Sequence, residues 1–280
     1  MATDAEYASS IFLYSALPLL KTLAEEKAAV RNAFAGKNGT IQVSVRPKPG
    51  ETGETGEPEG QSSEKTAPEK IGTHFMVKDG KLSCFTRLAG SPDIELEFPS
   101  LKAFNGFFAG KSMKLPRIRG ALKAPGLLVA TFTGLLAMSA ALGAKEAPKT
   151  AEERALLVKL FFYLLSSGIS RLNKTGHPAV SKWASVSPDR VYAFSVDGRP
   201  DLGAYIRVKA GNTRAARGVY ERSKPFFTMS FDSVDSALGI LLEKDDMIEA
   251  TVSRRISMLG APEYGAMLGE YMKLVGAYAK

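Results

Sequence analysis

The sequence predicts an α/β (α+β) protein built from two copies of one unit, each a mixed, mainly antiparallel sheet covered by helices on one face. Three observations carry that expectation. Three sequence blocks recur in the same order along the chain. The apolar spacing switches repeatedly between the helical and the strand period. Hydrophobic residues make up 45% and charged residues 24% of 280 positions, an ordinary globular balance with ample material for a core.

In the first recurring block His74 to Gly90 stands beside Tyr192 to Gly211. Each shows a strand, an Asp-Gly pair (Asp79-Gly80 and Asp197-Gly198), a second strand and Ala-Gly. Asp-Gly between alternating apolar runs is a hairpin signal, because both residues tolerate positive φ. In the second block Ile94 to Lys111 aligns without a gap on Phe227 to Lys244, so that Phe98 meets Phe231, Ser100 meets Ser233, Gly106 meets Gly239 and Lys111 meets Lys244. The third sets Leu122 to Leu142 over Leu259 to Ala279, sharing Ala124/Ala261 and Pro125/Pro262. The expected domains are residues 1–145 and 146–280.

Each copy begins with a helix. Ile11 to Phe34 carries Leu13, Leu17, Leu20, Leu23 and Val30 at helical spacing, and Glu152 to Leu172 carries Leu156, Leu157, Leu160, Leu164 and Leu165. Pro18 either kinks the first or marks its real first turn. Strands Ile41–Arg46 and His74–Lys78 flank Pro47–Lys70, which holds four Pro, four Gly and six Glu with no aromatic or branched aliphatic residue. Such a composition predicts a disordered loop between two strands of one sheet. A helix then follows in each copy, Ser100–Ala109 and Ser233–Leu242, with Ser233 or Asp232 as cap and Asp235 in the first turn. A basic strand-like stretch and a closing helix complete the order α-β-β-β-α-β-α, with the strand count open.

Charge and rare residues bound the chemistry. Lysine and arginine number 37 against 29 acids, a formal charge of +8, and the Pro47–Lys70 loop carries −3, leaving +11 on the remainder. A basic surface favours anionic partners without choosing among them. The lone Cys84 forms no internal disulfide and reads as a small buried hydrophobe in a strand, fitting a reducing compartment. His74 and His177 sit in non-equivalent places and make no site, leaving little for a metal or a Ser-His-Asp centre. Asp4 and Glu6 precede the first apolar stretch, so a cytoplasmic location is expected. Ala124 to Ala144 carries no charge over 21 residues, long enough to span a bilayer. Its glycines and its amphipathic counterpart at Leu259–Ala279 instead predict a buried core helix, and no integral membrane protein.

Several lesser features read as structural. Gly106 to Ser112 (GFFAGKS) has three residues between its glycines where a phosphate-binding loop needs four. Asp245, Asp246 and Glu249 follow a helix end without a partner histidine and suit a solvated turn. Trp183, near Pro178, is expected to anchor the connection between the copies. Two basic clusters, Lys111, Lys114, Arg117, Arg119 and Lys123, then Arg214, Arg217, Arg222, Lys224, Arg254 and Arg255, suit solvated faces or transient docking to an anionic membrane surface. Nucleic-acid binding needs interleaved aromatics, and only Tyr220 sits within the second cluster and none within the first.

The run Pro225 to Tyr278 has an apolar strand, Phe231-Asp232-Ser233, an amphipathic helix, Lys244, a basic strand, Leu259-Gly260-Ala261-Pro262 and a closing helix. It resembles the sterol carrier protein type two family, and the first copy resembles it more weakly. The resemblance implies a five-stranded sheet backed by helices, an apolar tunnel for sterols, phospholipids or fatty acyl chains, and no catalysis. Large side chains on the roofing helices are the candidate ligand contacts: Phe104, Phe107, Phe108, Phe132 and Leu136 in the first copy, and Leu238, Leu241, Leu242, Met267, Tyr271, Met272 and Val275 in the second. The same stripes suit simple core. The expected function is therefore non-catalytic lipid binding without cofactor or metal. The alternative is a scaffold or accessory protein whose paired units bind a protein partner, with cavities filled by their own side chains.

Overall fold

Ile41, Val43 and Val45 alternate with Gln42 and Ser44 along β1 (Gly39–Val45), so this strand turns an apolar edge to the helices and a polar edge away from them. In this computed structural model, which describes residues 1–53, 69–112 and 114–279, β1 lies at the centre of a five-stranded sheet. It pairs antiparallel with β2 (Ile71–Lys78), Ile41 opposite Phe75, and parallel with β4 (Ile94–Phe98), Val43 opposite Leu96. β3 (Lys81–Phe85) extends the β2 edge and β5 (Arg117–Arg119) the β4 edge, giving the order β3-β2-β1-β4-β5.

The second sheet repeats that order as β8-β7-β6-β9-β10, with β6 (Arg190–Val196) central, antiparallel to β7 (Ala204–Lys209) and parallel to β9 (Phe227–Phe231). β8 (Asn212–Arg217) and β10 (Ile256–Leu259) form its edges. The fold is thus a two-unit mixed α/β arrangement. One unit comprises Met1–Ser139 with Tyr278–Lys280 and the other Ala140–Ala277, so the division falls inside a helix rather than at residue 145.

One alignment drawn from the sequence is a strand out of register. Asp79 and Gly80 turn β2 into β3 with φ of 48° and 79°, and the residues that do the same between β7 and β8 are Ala210 and Gly211, at 48° and 77°. The counterpart of β6 is therefore β1, not β2. Asp197-Gly198 opens a longer connection through a 3-10 turn at Pro200–Leu202 before β7 begins. Ala210 reaches positive φ without the glycine or asparagine that normally signals it, so the true hairpin was hidden. Each unit consequently places four strands before its middle helix.

The second block aligns as expected. Ser100 and Ser233 cap α4 (Leu101–Phe108) and α8 (Val234–Leu241), accepting from Ala103 N at 3.1 Å and Ser236 N at 3.2 Å. Both helices end alike, Lys111 N donating to Gly106 O and Lys244 N to Gly239 O, each at 2.8 Å. The short α9 (Met247–Val252) precedes β10.

The first helix is broken where the sequence suggested one element. α1 (Asp4–Ile11) starts earlier, on a capping box of Thr3 and Glu6. A π-helical turn at Phe12–Ala16 follows, Pro18 caps α2 (Leu19–Glu26), and Lys27 leaves helical geometry before α3 (Ala28–Phe34). Proline lacks the N–H that would continue the ladder, and the wider turn before it absorbs the mismatch. α6 (Ala151–Lys174) and α7 (Pro178–Val186) occupy this place in the second unit.

β1 and β2 are adjacent, so Pro47–Lys70 is a loop within one sheet, as expected. Residues 54–68 of that expected disordered segment lie outside the described residues. Its first part is docked. The Glu51 carboxylate accepts from Leu101 N at 2.9 Å and Lys102 N at 3.1 Å in the first turn of α4, and Gly53 N donates to Glu6 at 2.8 Å.

The closing helices are α5 (Pro125–Leu142) and α10 (Pro262–Tyr278). α5 and α6 are both long and apolar enough to cross a membrane, but 72% of the α6 window is buried and only 33% of that in α5. The expectation of a buried core helix at Ala124–Ala144 is thereby corrected. α5 commits Leu127, Ala130, Thr131, Leu135 and Met138 to the interior and leaves Val129 and Leu136 exposed.

Candidate functional site

The predicted ligand contacts separate into two environments. In the first unit Phe104 is fully buried on α4, with Phe98, Phe108 and Phe12 at ring-centroid distances of 5.2, 4.8 and 6.2 Å. Phe107 and Phe108 are half-buried and close on Phe98 at 5.3 and 6.0 Å. Rings fill the seam between α4 and the sheet. Phe132 is half-buried on α5, and Leu136, 70% exposed, points to solvent and lines no interior cavity.

In the second unit Leu238, Tyr271, Met272 and Val275 are buried, whereas Leu241, Leu242 and Met267 are half-buried. Tyr271 belongs to a chain of aromatics that the helical stripe alone did not reveal. Its ring lies 5.4 Å from Trp183 on α7, which meets Tyr192 of β6 at 5.2 Å. Tyr192 in turn reaches Phe226 at 5.8 Å and Tyr264 at 6.0 Å. Trp183 thus sits in the interior of its unit, between α7, β6 and α10, rather than pinning a linker. The Tyr271 hydroxyl donates to Ala179 O at 3.3 Å, and burial, reinforced by Tyr192, pushes its pKa up.

Two polar features mark this aromatic seam. The Trp183 indole N–H is buried and has no hydrogen-bond acceptor. Leaving such a donor unsatisfied costs roughly 1–3 kcal/mol. At the rim, the Arg190 guanidinium lies 3.8 Å from the centroid of Phe226 and donates to the Tyr264 hydroxyl at 2.9 Å. Desolvation works against its charge, but the Tyr264 and Tyr192 hydroxyls outweigh it and raise its pKa.

The outer face of the first sheet holds a buried ionic network that was not anticipated. Glu95 accepts from Gln42 Nε2 at 2.8 Å, from Ser44 Oγ at 2.7 Å and from Lys70 Nζ. Glu97 is paired with Arg119 at 2.9 Å and Arg46 at 3.5 Å. Burial alone would raise the Glu95 pKa, yet its partners Lys70, Ser44 and Gln42 hold it below the usual carboxylate range. The signal was present in Ile94-Glu95-Leu96-Glu97-Phe98, whose strict alternation sends both carboxylates to the face opposite the helices.

Beside this network runs an open groove of about 480 Å³ lined by Thr40, His74, Met76 and residues 87–91. His74 Nδ1 donates to Arg87 O at 2.7 Å, which fixes its tautomer, and the ring stacks on Phe85 at 4.9 Å. The two carboxylates face three cations, Lys70, Arg46 and Arg119, and are paired with them. Strand register places Thr228 and Ser230 at the matching positions of the second unit, where Ser195 donates to Ser230 and Ser230 to Asp197, at 2.9 and 2.7 Å. The pair of strand carboxylates therefore has no counterpart at those register positions of the second sheet.

The remaining motifs resolve structurally. Asp246 caps α9 through Ile248 N and Glu249 N, and Asp245 pairs with Arg255. Gly106 lies within α4 and cradles nothing but its own turn. Cys84 is half-buried on the edge strand β3 rather than buried, because only one strand flanks it. Among the described residues no three His, Cys, Asp or Glu side chains gather into a metal-binding group.

Fold and site together define a protein of two five-stranded α/β units, one with a charged outer sheet face and the other with an aromatic seam under its closing helix. No protein-family model matches the chain, and no curated protein matches it. Among solved structures it is similar to a double mutant of the sec-alkyl sulfatase PisA1, at 14% identity and a TM-score of 0.25, over 62% of this chain and 30% of that one. The chain thus spans less than a third of that sulfatase, and a likeness at this level transfers neither fold nor activity.

Proposed function

We propose that this protein is a non-catalytic carrier of an apolar ligand, a fatty acyl chain, sterol or phospholipid, held beneath α10 in the second unit. The observation that carries the reading is the buried, acceptor-free indole N–H of Trp183 among Tyr192 and Tyr271. A mainly apolar seam whose unpartnered buried polar atoms are the Trp183 Nε1 and the neighbouring Tyr192 Oη suits a hydrocarbon body bearing an acceptor oxygen. Met267 and Met272 on the same helix are pliant enough to accept varied shapes. Ligand affinity would come from desolvation, about 0.8 kcal/mol for each methylene buried.

The test is uptake of a fluorescent fatty acid by the full chain and by Trp183→Phe, which keeps a ring and removes the donor. Saturable uptake that weakens about tenfold in the variant, in keeping with one lost hydrogen bond, supports the reading. Equal uptake by both would show that the seam is not the site.

A second reading has its own observation. The Phe12, Phe98, Phe104 and Phe108 rings fill the first unit's seam, as a scaffold with closed cavities requires. Native mass spectrometry that finds a bare chain after incubation with lipid would favour the scaffold over the carrier.

A further inference from the structure

Lys273 and Leu136 hold the same place on the two closing helices: Pro125 aligns with Pro262, and the positions that follow match one to one. On α10 the solvent side carries Glu263, Glu270 and Lys273, an ordinary exposed face with an ion pair of 3.1 Å between the last two. The matching residues of α5 are Gly126, Thr133 and Leu136. Every charge that keeps the second helix soluble is replaced by a neutral residue on the first.

That neutral face is open. Val129 is 66% and Leu136 70% exposed, two turns apart on the helix, and Leu122, in the turn just before it, is 99% exposed. Single exposed apolar residues need no explanation, but a continuous charge-free strip does. No charged residue occurs from 124 to 144. Immediately before this strip, residues 111–123 contain five cations and no acid, and Lys111, Lys114, Arg117 and Lys123 are exposed.

We propose that α5 and the basic segment before it form a docking face for an anionic membrane surface, with α5 lying in the plane of the interface. A spanning orientation is excluded by the inner side of the same helix. Leu127, Thr131 and Leu135 are buried, and Gly134 receives the tip of Leu20 from α2. Crossing the bilayer would strip those contacts from the core. An apolar helical face next to a cluster of cations is the pattern that binds headgroups and acyl boundary together. This proposal goes beyond ligand carriage and stands whether or not the second unit holds a lipid.

The test is co-sedimentation of the full chain with vesicles of phosphatidylcholine alone and of phosphatidylcholine with phosphatidylglycerol. The chain is expected to bind the anionic vesicles and to lose about tenfold in partitioning in Thr133→Glu/Leu136→Lys, which copies the polar face of α10. Lys114→Gln/Lys123→Gln should weaken binding as well, and added salt should mimic it. Circular dichroism and fatty-acid uptake are read on the same variants, so that loss of docking with uptake intact separates this proposal from ligand carriage. Absence of binding to anionic vesicles, or binding unchanged in the helix variant, overturns it. So does a dimer in solution that the helix variant dissolves, since a second copy would then cover the face.

Discussion

Val275 on α10 rests directly on Gly168 of α6: a Cβ built on that glycine would stand 2.6 Å from Val275 Cγ1 and 2.9 Å from Cγ2. Glycine is a poor helix former, so its presence inside a 24-residue helix is explained by this close approach. The valine is β-branched and fully buried, with no rotamer to escape into.

Gly168→Ala is therefore expected to destabilise the second unit by about 1–3 kcal/mol from overpacking, more than the propensity gain of about 1 kcal/mol returns. Urea denaturation measures it as a lowered midpoint. Placing Val275→Ala alongside should make the alanine at 168 favourable. The first unit gives the contrast. At Gly134 a Cβ would crowd the Cδ1 tip of Leu20, a side-chain end that can turn, and would meet Phe34 Cε2 at an ordinary 3.5 Å, so Gly134→Ala should shift the midpoint less. Equal losses at both glycines would contradict the assignment.

The Lys70–Glu95 pair predicts a change in the sign of pH dependence. In the wild type Glu95 has a depressed pKa, so its stabilising contribution is present above the unfolded value of about 4.3 and is lost as pH falls through the lower folded value. Lys70→Met removes the cation from a carboxylate that is only 6% exposed. Breaking a buried pair in this way costs about 3–5 kcal/mol at neutral pH. Burial then prevails and lifts the Glu95 pKa, so the variant should become more stable on acidification where the wild type becomes less so. Melting temperatures between about pH 3 and 7 test this against the ordinary glutamate pKa. Parallel curves would mean that Lys70 does not hold Glu95.

The Glu51 carboxylate acts as a remote cap. Burial opposes its charge, but the backbone N–H groups of Lys48, Leu101 and Lys102 outweigh that and lower its pKa. Glu51→Gln should cost about 1 kcal/mol at neutral pH, as loss of a charged cap does. Because the wild-type advantage is lost as pH falls below the ordinary glutamate range, the two proteins should converge in acid. A difference that persists there would assign the effect to packing.

Much of this architecture was legible because short-range chemistry announced it. Phe231-Asp232-Ser233 marked a strand, a cap and a helix in the right order, and Phe98-Pro99-Ser100 marked its twin. What escaped was set by long-range pairing. The hairpin at Ala210-Gly211 has no turn signature of its own and is imposed by the β7–β8 ladder. Glu95 and Glu97 were readable as an alternation, but nothing local showed that Lys70, a loop residue twenty-five positions before Glu95, would meet them. The exposure of α5 was equally hidden, since a charge-free helix has the same sequence whether its outer face is covered or open.

Trp183 is the one tryptophan in 280 residues, so its emission reports a single place in the molecule. Buried against Tyr192 and Tyr271, it should emit at short wavelength and resist a soluble quencher. If a ligand oxygen accepts from its indole N–H, a fatty acid should shift or quench that emission with the same saturation as uptake. A hydrocarbon of equal length, lacking the acceptor, should enter less readily and leave the emission nearer its starting value. Tyr271→Phe should leave the emission response intact, since the hydroxyl already spends its hydrogen on Ala179 O at 3.3 Å and offers none to a ligand. Saturable uptake with no change in Trp183 emission would place the ligand away from this seam, and with it would go the claim that the unsatisfied indole marks the site.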